Sequence, residues 1–203
     1  MSRPNSLFLL IRRFPRGHER INVDRLFMNK AELDLEKYVR TVPDFPTEGI
    51  NFRDISPLLL NAEAFAHSVE KMASHFNSQD VDYVAGIEAR GFLLASALSI
   101  ELQAGLLPIR KKGKLPRPVI SLDYDLEYGA ATLEVQKQSI PKGAKVLIVD
   151  DVLATGGTAE CASKLINLVG GRVIGFGFLI SLDTLNGRER ILGYKEVSLL
   201  RYG

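Results

Sequence analysis

The sequence predicts an α/β fold: a mostly parallel, open and twisted sheet flanked by helices. Apolar runs rich in β-branched residues alternate with amphipathic stretches at the spacing of βαβ units. One run, Val146-Leu147-Ile148-Val149, reads as a buried strand and is followed at once by Asp150-Asp151. A small hydroxyl- and glycine-rich turn, Ala154-Thr155-Gly156-Gly157-Thr158, then opens an amphipathic helix. In open parallel sheets ligands bind outside the carboxyl ends of the strands, so this turn is where function is expected.

The elements follow in order. Residues 31–40 read as a short amphipathic helix with Leu33, Leu35, Tyr38 and Val39 available for packing, stopped by Pro43 and Pro46. Residues 43–54 read as extended and turn-rich. Asn61 is suited to cap a helix running to about Phe76. Strand 81–86, helix 91–103 and strand 106–109 follow, then a basic loop from Arg110 to Pro118. Two strands, 119–126 and 131–135, are joined through Glu127-Tyr128-Gly129. After strand 146–149 and helix 157–169 come strand 173–180, a short helix over 185–191 and a last strand over 197–200.

Composition excludes several classes. Hydrophobic content of 46% and charged content of 25% are ordinary for a globular protein. No apolar run approaches the ~20 residues of a membrane span, so no membrane partner is expected. Cys161 is the only cysteine, which forbids an intrachain disulfide and fits a reducing, cytoplasmic setting. It reads as a small buried hydrophobe. His18, His67 and His75 form no ligand cluster; they read as surface residues, with no zinc site. Residues 1–30 hold seven Lys/Arg against Glu19 and Asp24, a net of +5 in a chain of net +2. The body is therefore acidic by three charges, which argues against a nucleic-acid partner. Residues 1–27 read as a basic extension outside the core, a tail or an over-extended start before Met28. Residues 28–203 read as one domain.

The chemistry concentrates in a few places. A glycine-rich turn lets backbone N–H groups converge on an anion, and a helix N-terminus adds partial positive charge. Residues 154–158 are thus suited to phosphate. Asp150 and Asp151 repel phosphate but suit the hydroxyls of a sugar that carries it, or a developing cation. Glu88-Ala89-Arg90-Gly91-Phe92 lies between a strand and a helix, and Arg90 offers a forked charge for phosphate oxygens. Arg110 and Lys111 leave the preceding strand directly, at the head of five cations in eight residues. There is no P-loop. Gly175-Phe176-Gly177 lacks the third glycine of a dinucleotide fingerprint and fits a close-packed strand.

The acidic pair with Thr-Gly-Gly-Thr behind a hydrophobic strand resembles the phosphoribosyl-pyrophosphate (PRPP) motif of type I phosphoribosyltransferases. Tyr124-Asp125-Leu126-Glu127-Tyr128-Gly129 is similar to the flexible loop of the family's adenine-specific branch, the adenine phosphoribosyltransferases. Pro43-Asp44-Phe45-Pro46, Phe52-Arg53-Asp54-Ile55-Ser56-Pro57, Arg90-Gly91-Phe92, Ile109-Arg110-Lys111 and Gly187-Arg188-Glu189 also match. The resemblance runs from about Lys30 to the C-terminus. It implies the type I phosphoribosyltransferase fold, with a small hood segment and a flexible β-loop. It implies transfer from PRPP to adenine in purine salvage, giving AMP and diphosphate, with Mg²⁺ held mainly by substrate and no dedicated protein metal site. Asp150 and Asp151 are then expected at the ribose, and Ala154, Thr155, Gly156, Gly157 and Thr158 at the 5′-phosphate. Arg90, Arg110 and Lys111 are expected at pyrophosphate. Glu127 is the expected acid/base residue, Tyr128 the loop-closing residue, and Asn51, Arg53 and Leu182 the adenine pocket. Asn51 and Ser181 depart from the family pattern. A homodimer is expected on the same ground. The alternatives are a phosphoribosyltransferase for another purine base and a PRPP-sensing regulator.

Overall fold

The computed structural model describes residues 33–116, 118–125 and 130–203. The basic extension, Arg117, Glu127 and Tyr128 lie outside the described residues. The chain divides into Met1–Leu33 and Asp34–Gly203, and the second unit carries every element below.

This unit opens on a short 3₁₀ turn, Leu35–Tyr38, where a longer helix is predicted. Asp34 caps the turn by accepting from the Glu36 N–H at 3.2 Å. Val39 is already extended, because the chain next enters β1 (Arg40–Val42). β1 pairs antiparallel with β2 (Phe52–Asp54), inside the segment expected to be merely extended. The pairing is locked by Arg40 Nη2 on Asp54 Oδ2 at 2.6 Å. Asp54 also accepts from the Ser56 N–H at 2.9 Å, at the first residue of α1 (Ser56–Leu60), which the sequence did not single out. α2 (Ala62–Ala73) starts where expected: Asn61 Oδ1 accepts from the Ala64 N–H at 2.9 Å.

The main sheet has seven strands: β3 (Tyr83–Ile87), β4 (Gly105–Lys111), β5 (Val119–Asp125), β6 (Ala130–Gln136), β7 (Lys145–Leu153), β8 (Arg172–Leu182) and β9 (Lys195–Tyr202). Their spatial order is β5-β6-β4-β3-β7-β8-β9. The five strands from β4 to β9 are mutually parallel, while β6 and β5 extend the sheet antiparallel. α3 (Gly91–Glu101) carries the chain from β3 outward to β4, and α4 (Gly157–Leu168) carries it from β7 outward to β8. The two connections leave in opposite directions from neighbouring strands. The crevice between the ends of β3 and β7 is therefore the topological switch point, where such sheets bind ligands.

Residues 146–149 are apolar without alternation because both faces of β7 are covered. Val146 and Ile148 join a core with Leu165 and Ile166 of α4 and Phe176 and Phe178 of β8. Val149 faces the other layer, with Met72 of α2 and Leu94 and Leu98 of α3. Gly175 and Gly177 belong to this packing: a Cβ at Gly177 would stand 2.9 Å from Met72 Sδ, and one at Gly175 would stand 2.9 Å from the Lys195 carbonyl oxygen. The short helix expected over 185–191 is two 3₁₀ turns, Asp183–Leu185 and Gly187–Ile191. Cys161 is buried, and burial pushes its thiol up to about 11. His75 is exposed, but His67 is half-buried on α2 and its Nε2 has no hydrogen-bond partner.

Candidate active site

β7 does not stop before its carboxylates. It runs through Asp150 and Asp151 to Leu153, still paired with β8, whereas β3 pairs with it only as far as Val149. The acidic pair therefore stands where β7 has lost its neighbour on one side and faces the crevice. Asp150 Oδ1 accepts from the Asp151 N–H at 2.9 Å. Gly91, the first residue of α3, packs against this point; a Cβ there would fall 2.6 Å from Asp150 Oδ1. Burial pushes the Asp150 carboxyl well above the ordinary carboxylate range, and the adjacent Asp151 charge adds to the shift. Burial raises Asp151 too, against the pull of Arg90. Arg90 Nε stands 2.7 Å from Asp151 Oδ2, an ion pair without the alignment of a hydrogen bond. The Arg90 guanidinium also lies 4.9 Å from the Phe52 ring centre, tying β2 to the crevice.

A cavity of about 560 Å³ opens here, lined by residues 88–90, Lys111, Tyr124, Ala131, residues 150–152, Ala154 and Thr158. A smaller cleft of about 60 Å³ lies over residues 152–156 and Thr158. α4 starts at Gly157 behind Gly156, whose φ of +82° is left-handed, and no side chain caps that start. The first N–H groups of α4 thus have no side-chain acceptor of their own. A second close approach fixes the turn: a Cβ on Gly156 would come within 2.3 Å of the Gly187 carbonyl oxygen. Only glycine combines that φ with that contact.

On the opposite wall stands the basic arm that begins with the last two residues of β4, Arg110 and Lys111. Lys111 lines the cavity, but the Arg110 guanidinium is occupied elsewhere. Its Nε and Nη2 each donate to the Glu88 carboxylate at 3.2 Å, and Nη1 donates to the Lys114 carbonyl at 2.8 Å. Glu88 also accepts from the Lys111 N–H at 2.9 Å. Hydrogen bonding from Arg110 and Lys111 holds the Glu88 carboxyl below its ordinary range. Glu134, buried and opposite Arg110 in the β4–β6 register, accepts from the Gly113 N–H at 2.9 Å and the Ser121 hydroxyl at 3.0 Å. The sequence singled out neither acid for a role. Glu88 stands inside the stretch from Glu88 to Phe92, and Glu134 has no local signature, because its partners come from the turn after β4 and from β5.

The crevice therefore gathers Arg90, Lys111, Asp150, Asp151, Ala154 and Thr158, with Thr155 and Gly156 in the adjoining cleft and Gly157 at the helix start. Asn51, Arg53 and Leu182 lie outside the lining of either space. Asn51 is exposed. The Arg53 guanidinium lies 3.8 Å from the Tyr202 ring centre, and Tyr202 is the register partner of Leu182. Arg53 and Leu182 thus meet through the C-terminal strand. Ser181 donates to Asp183 Oδ1 at 2.6 Å. A cavity of similar size, about 580 Å³, lies at the other end of the sheet near Asp82, Tyr83 and residues 141–144. Lys142 is the single cation in its lining, so it lacks the convergent charge of the crevice.

Residues 58–199 match the family described as the phosphoribosyl transferase domain. The chain is 48% identical over 169 residues to the adenine phosphoribosyltransferase of Halothermothrix orenii, covering 83% of this chain and 99% of the relative. It is 46% identical over 171 residues to that of Thermotoga maritima, covering 84% and 99%. The chain belongs to the adenine phosphoribosyltransferase family. Solved structures agree in fold. The enzyme from Thermoanaerobacter pseudethanolicus superposes with a TM-score of 0.80 at 43% identity, over 83% of this chain and 98% of the other. The Saccharomyces cerevisiae enzyme, in complex with adenine and an imino-altritol bisphosphate, gives 0.78 at 36% identity, over 82% and 96%. The open, mostly parallel sheet expected of this family is the one observed.

Proposed function

We propose that this protein transfers the 5-phosphoribosyl group of PRPP to N9 of adenine, releasing diphosphate and forming AMP. The carrying observation is one crevice that joins the Asp150–Asp151 pair, an uncapped helix start and the cations Arg90 and Lys111, on a chain of this family. The C1′–O bond to pyrophosphate breaks, the C1′–N9 bond forms, and one proton leaves the purine ring. Residues 154–158 and the first N–H groups of α4 hold the 5′-phosphate. Asp150 and Asp151 hold the ribose hydroxyls and place negative charge beside a centre that becomes cationic. Arg90 and Lys111 face the leaving pyrophosphate, with Arg110 behind them. Glu127 is the acid/base residue at the purine, and Tyr128 closes over the reacting bond. Their loop joins strands whose residues Tyr124 and Ala131 both line the cavity. Asn51, Arg53 and Leu182, outside the lining of the cavity, are the residues assigned to the base.

Among the described residues no three His, Cys, Asp or Glu side chains converge. The crevice does offer carboxylate oxygens, and Asp151 Oδ2 is buried without an aligned hydrogen bond. This fits Mg²⁺ held mainly by substrate oxygens, with Asp150 and Asp151 as its protein side. Bound Mg²⁺ neutralises leaving-group charge. A cytoplasmic homodimer completes the proposal.

The test is a chromatographic assay for nucleotide with PRPP, Mg²⁺ and each purine base offered separately. AMP from adenine, with little product from hypoxanthine, guanine or xanthine, is the expected result. Product from another base alone overturns the adenine assignment.

A further inference from the structure

A carboxylate in a cavity built for a polyanion needs a reason. Glu88 lines the crevice beside Arg90 and Lys111, where its charge opposes any phosphate. Yet three of its hydrogen bonds run to the basic arm: two from the Arg110 fork and one from the Lys111 N–H. The Lys114 carbonyl engages the third Arg110 nitrogen, and Glu134 holds the Gly113 N–H from the far side. The arm is thus fixed at Arg110, at the Lys111 backbone and at Gly113, while the Lys111 side chain is left at the cavity wall.

We infer that Glu88 is a positioning residue for the pyrophosphate end of the site, acting through Arg110 and the Lys111 backbone rather than on substrate. This rests on the crevice being the PRPP site. The two possible effects of Glu88 have opposite signs. As a bare charge it repels PRPP, so removing it tightens binding. As a brace it holds the arm in place, so removing it weakens binding. A bidentate, charge-assisted contact of this geometry constrains both partners, and a neutral amide cannot accept the whole fork. Glu88 thus joins the residue after β3 to the last two residues of β4, alongside the bond its own N–H donates to the Ile109 carbonyl at 3.0 Å.

The experiment compares wild type, Glu88→Gln and Glu88→Asp as full chains. It measures steady-state KM for PRPP and for adenine, with PRPP binding by calorimetry. The expected result for Glu88→Gln is a rise in KM and Kd for PRPP of about 10- to 100-fold, with KM for adenine unchanged within about twofold. Glu88→Asp keeps the charge and shortens the reach, so an intermediate rise is expected. It also decides the matter if Glu88→Gln does not fold by circular dichroism. In an Arg110→Ala background, Glu88→Gln has much less left to remove. Unchanged or tighter PRPP binding in the Gln variant overturns the inference, as does an equal rise in both KM values. Wild type that neither binds PRPP nor forms AMP overturns the site assignment itself, a failure seen before any variant is made.

Discussion

Asp150 carries two opposed demands. It accepts from the Asp151 N–H and lines the crevice where the proposed reaction develops a cation, yet its burial beside another carboxylate makes ionisation costly. A folded pKa raised above the unfolded value near 3.8 means that the folded state holds its proton more tightly. The stability this contributes is complete below the unfolded value and is lost as pH rises through the folded one. Ionising the pair therefore works against the fold, the more so the higher the pH. Asp150→Asn keeps an acceptor for the Asp151 N–H and removes the charge. It is expected to raise Tm by roughly 2–5 °C at pH 8, with a smaller gain at pH 5, while KM for PRPP rises at least about tenfold. Thermal melts at both pH values check the sign: a lower Tm at pH 8 refutes the electrostatic account. The same residues show how far sequence reaches. The pair's place at the end of a buried strand was legible from the apolar run before it, but its continuation inside β7 was not, because that depends on β8 extending past β3.

At the scale of elements, the turn proposed to hold phosphate is itself held by a neighbour remote in sequence. Gly156 is left-handed, and its Cα hydrogen faces the carbonyl of Gly187 in the 3₁₀ turn Gly187–Ile191. Gly156→Ala adds both backbone strain and a clash with main chain, which cannot rotate away. A loss of about 2–4 kcal/mol is expected, seen as a Tm lower by roughly 5–12 °C, together with weaker PRPP binding. A melt within a degree of wild type removes this contact from the account. The glycine itself was readable, since a turn opening a helix asks for it. Its partner was not: Gly187 appeared as part of a separate motif. The β1–β2 pair was missed for a similar reason. Three-residue strands carry no periodicity, and Arg40 and Asp54 are joined only by the pairing.

At the scale of the whole molecule, α3 holds two large apolar side chains exposed seven residues apart, Leu93 at 49% and Ile100 at 79%. The proposed homodimer requires a surface for a second copy of this chain, and apolar exposure on a helix makes this the surface to test first. Sedimentation of the full chain is expected to give twice the mass of 22.5 kDa. The double variant Leu93→Glu, Ile100→Glu is expected to shift it to monomer. A wild-type monomer at micromolar concentration ends the dimer proposal, and a dimer untouched by the variant moves its interface off α3.

Sequence alone determined the layers of this protein and the motifs that mark its family. Apolar runs, turn residues and a helix start are local properties, and Glu88–Arg90 and residues 150–158 each lie within a single strand-to-helix junction. Tertiary structure decided which junctions meet and what each cation is free to do. Arg90 and Lys111 reach the cavity while Arg110, next in the chain to Lys111, is turned onto Glu88. Arg53 and Leu182 come together only through Tyr202, near the far end of the chain. Those outcomes depend on the strand order around β3 and β7, because pairing between distant segments sets side-chain neighbours that no run of consecutive residues encodes.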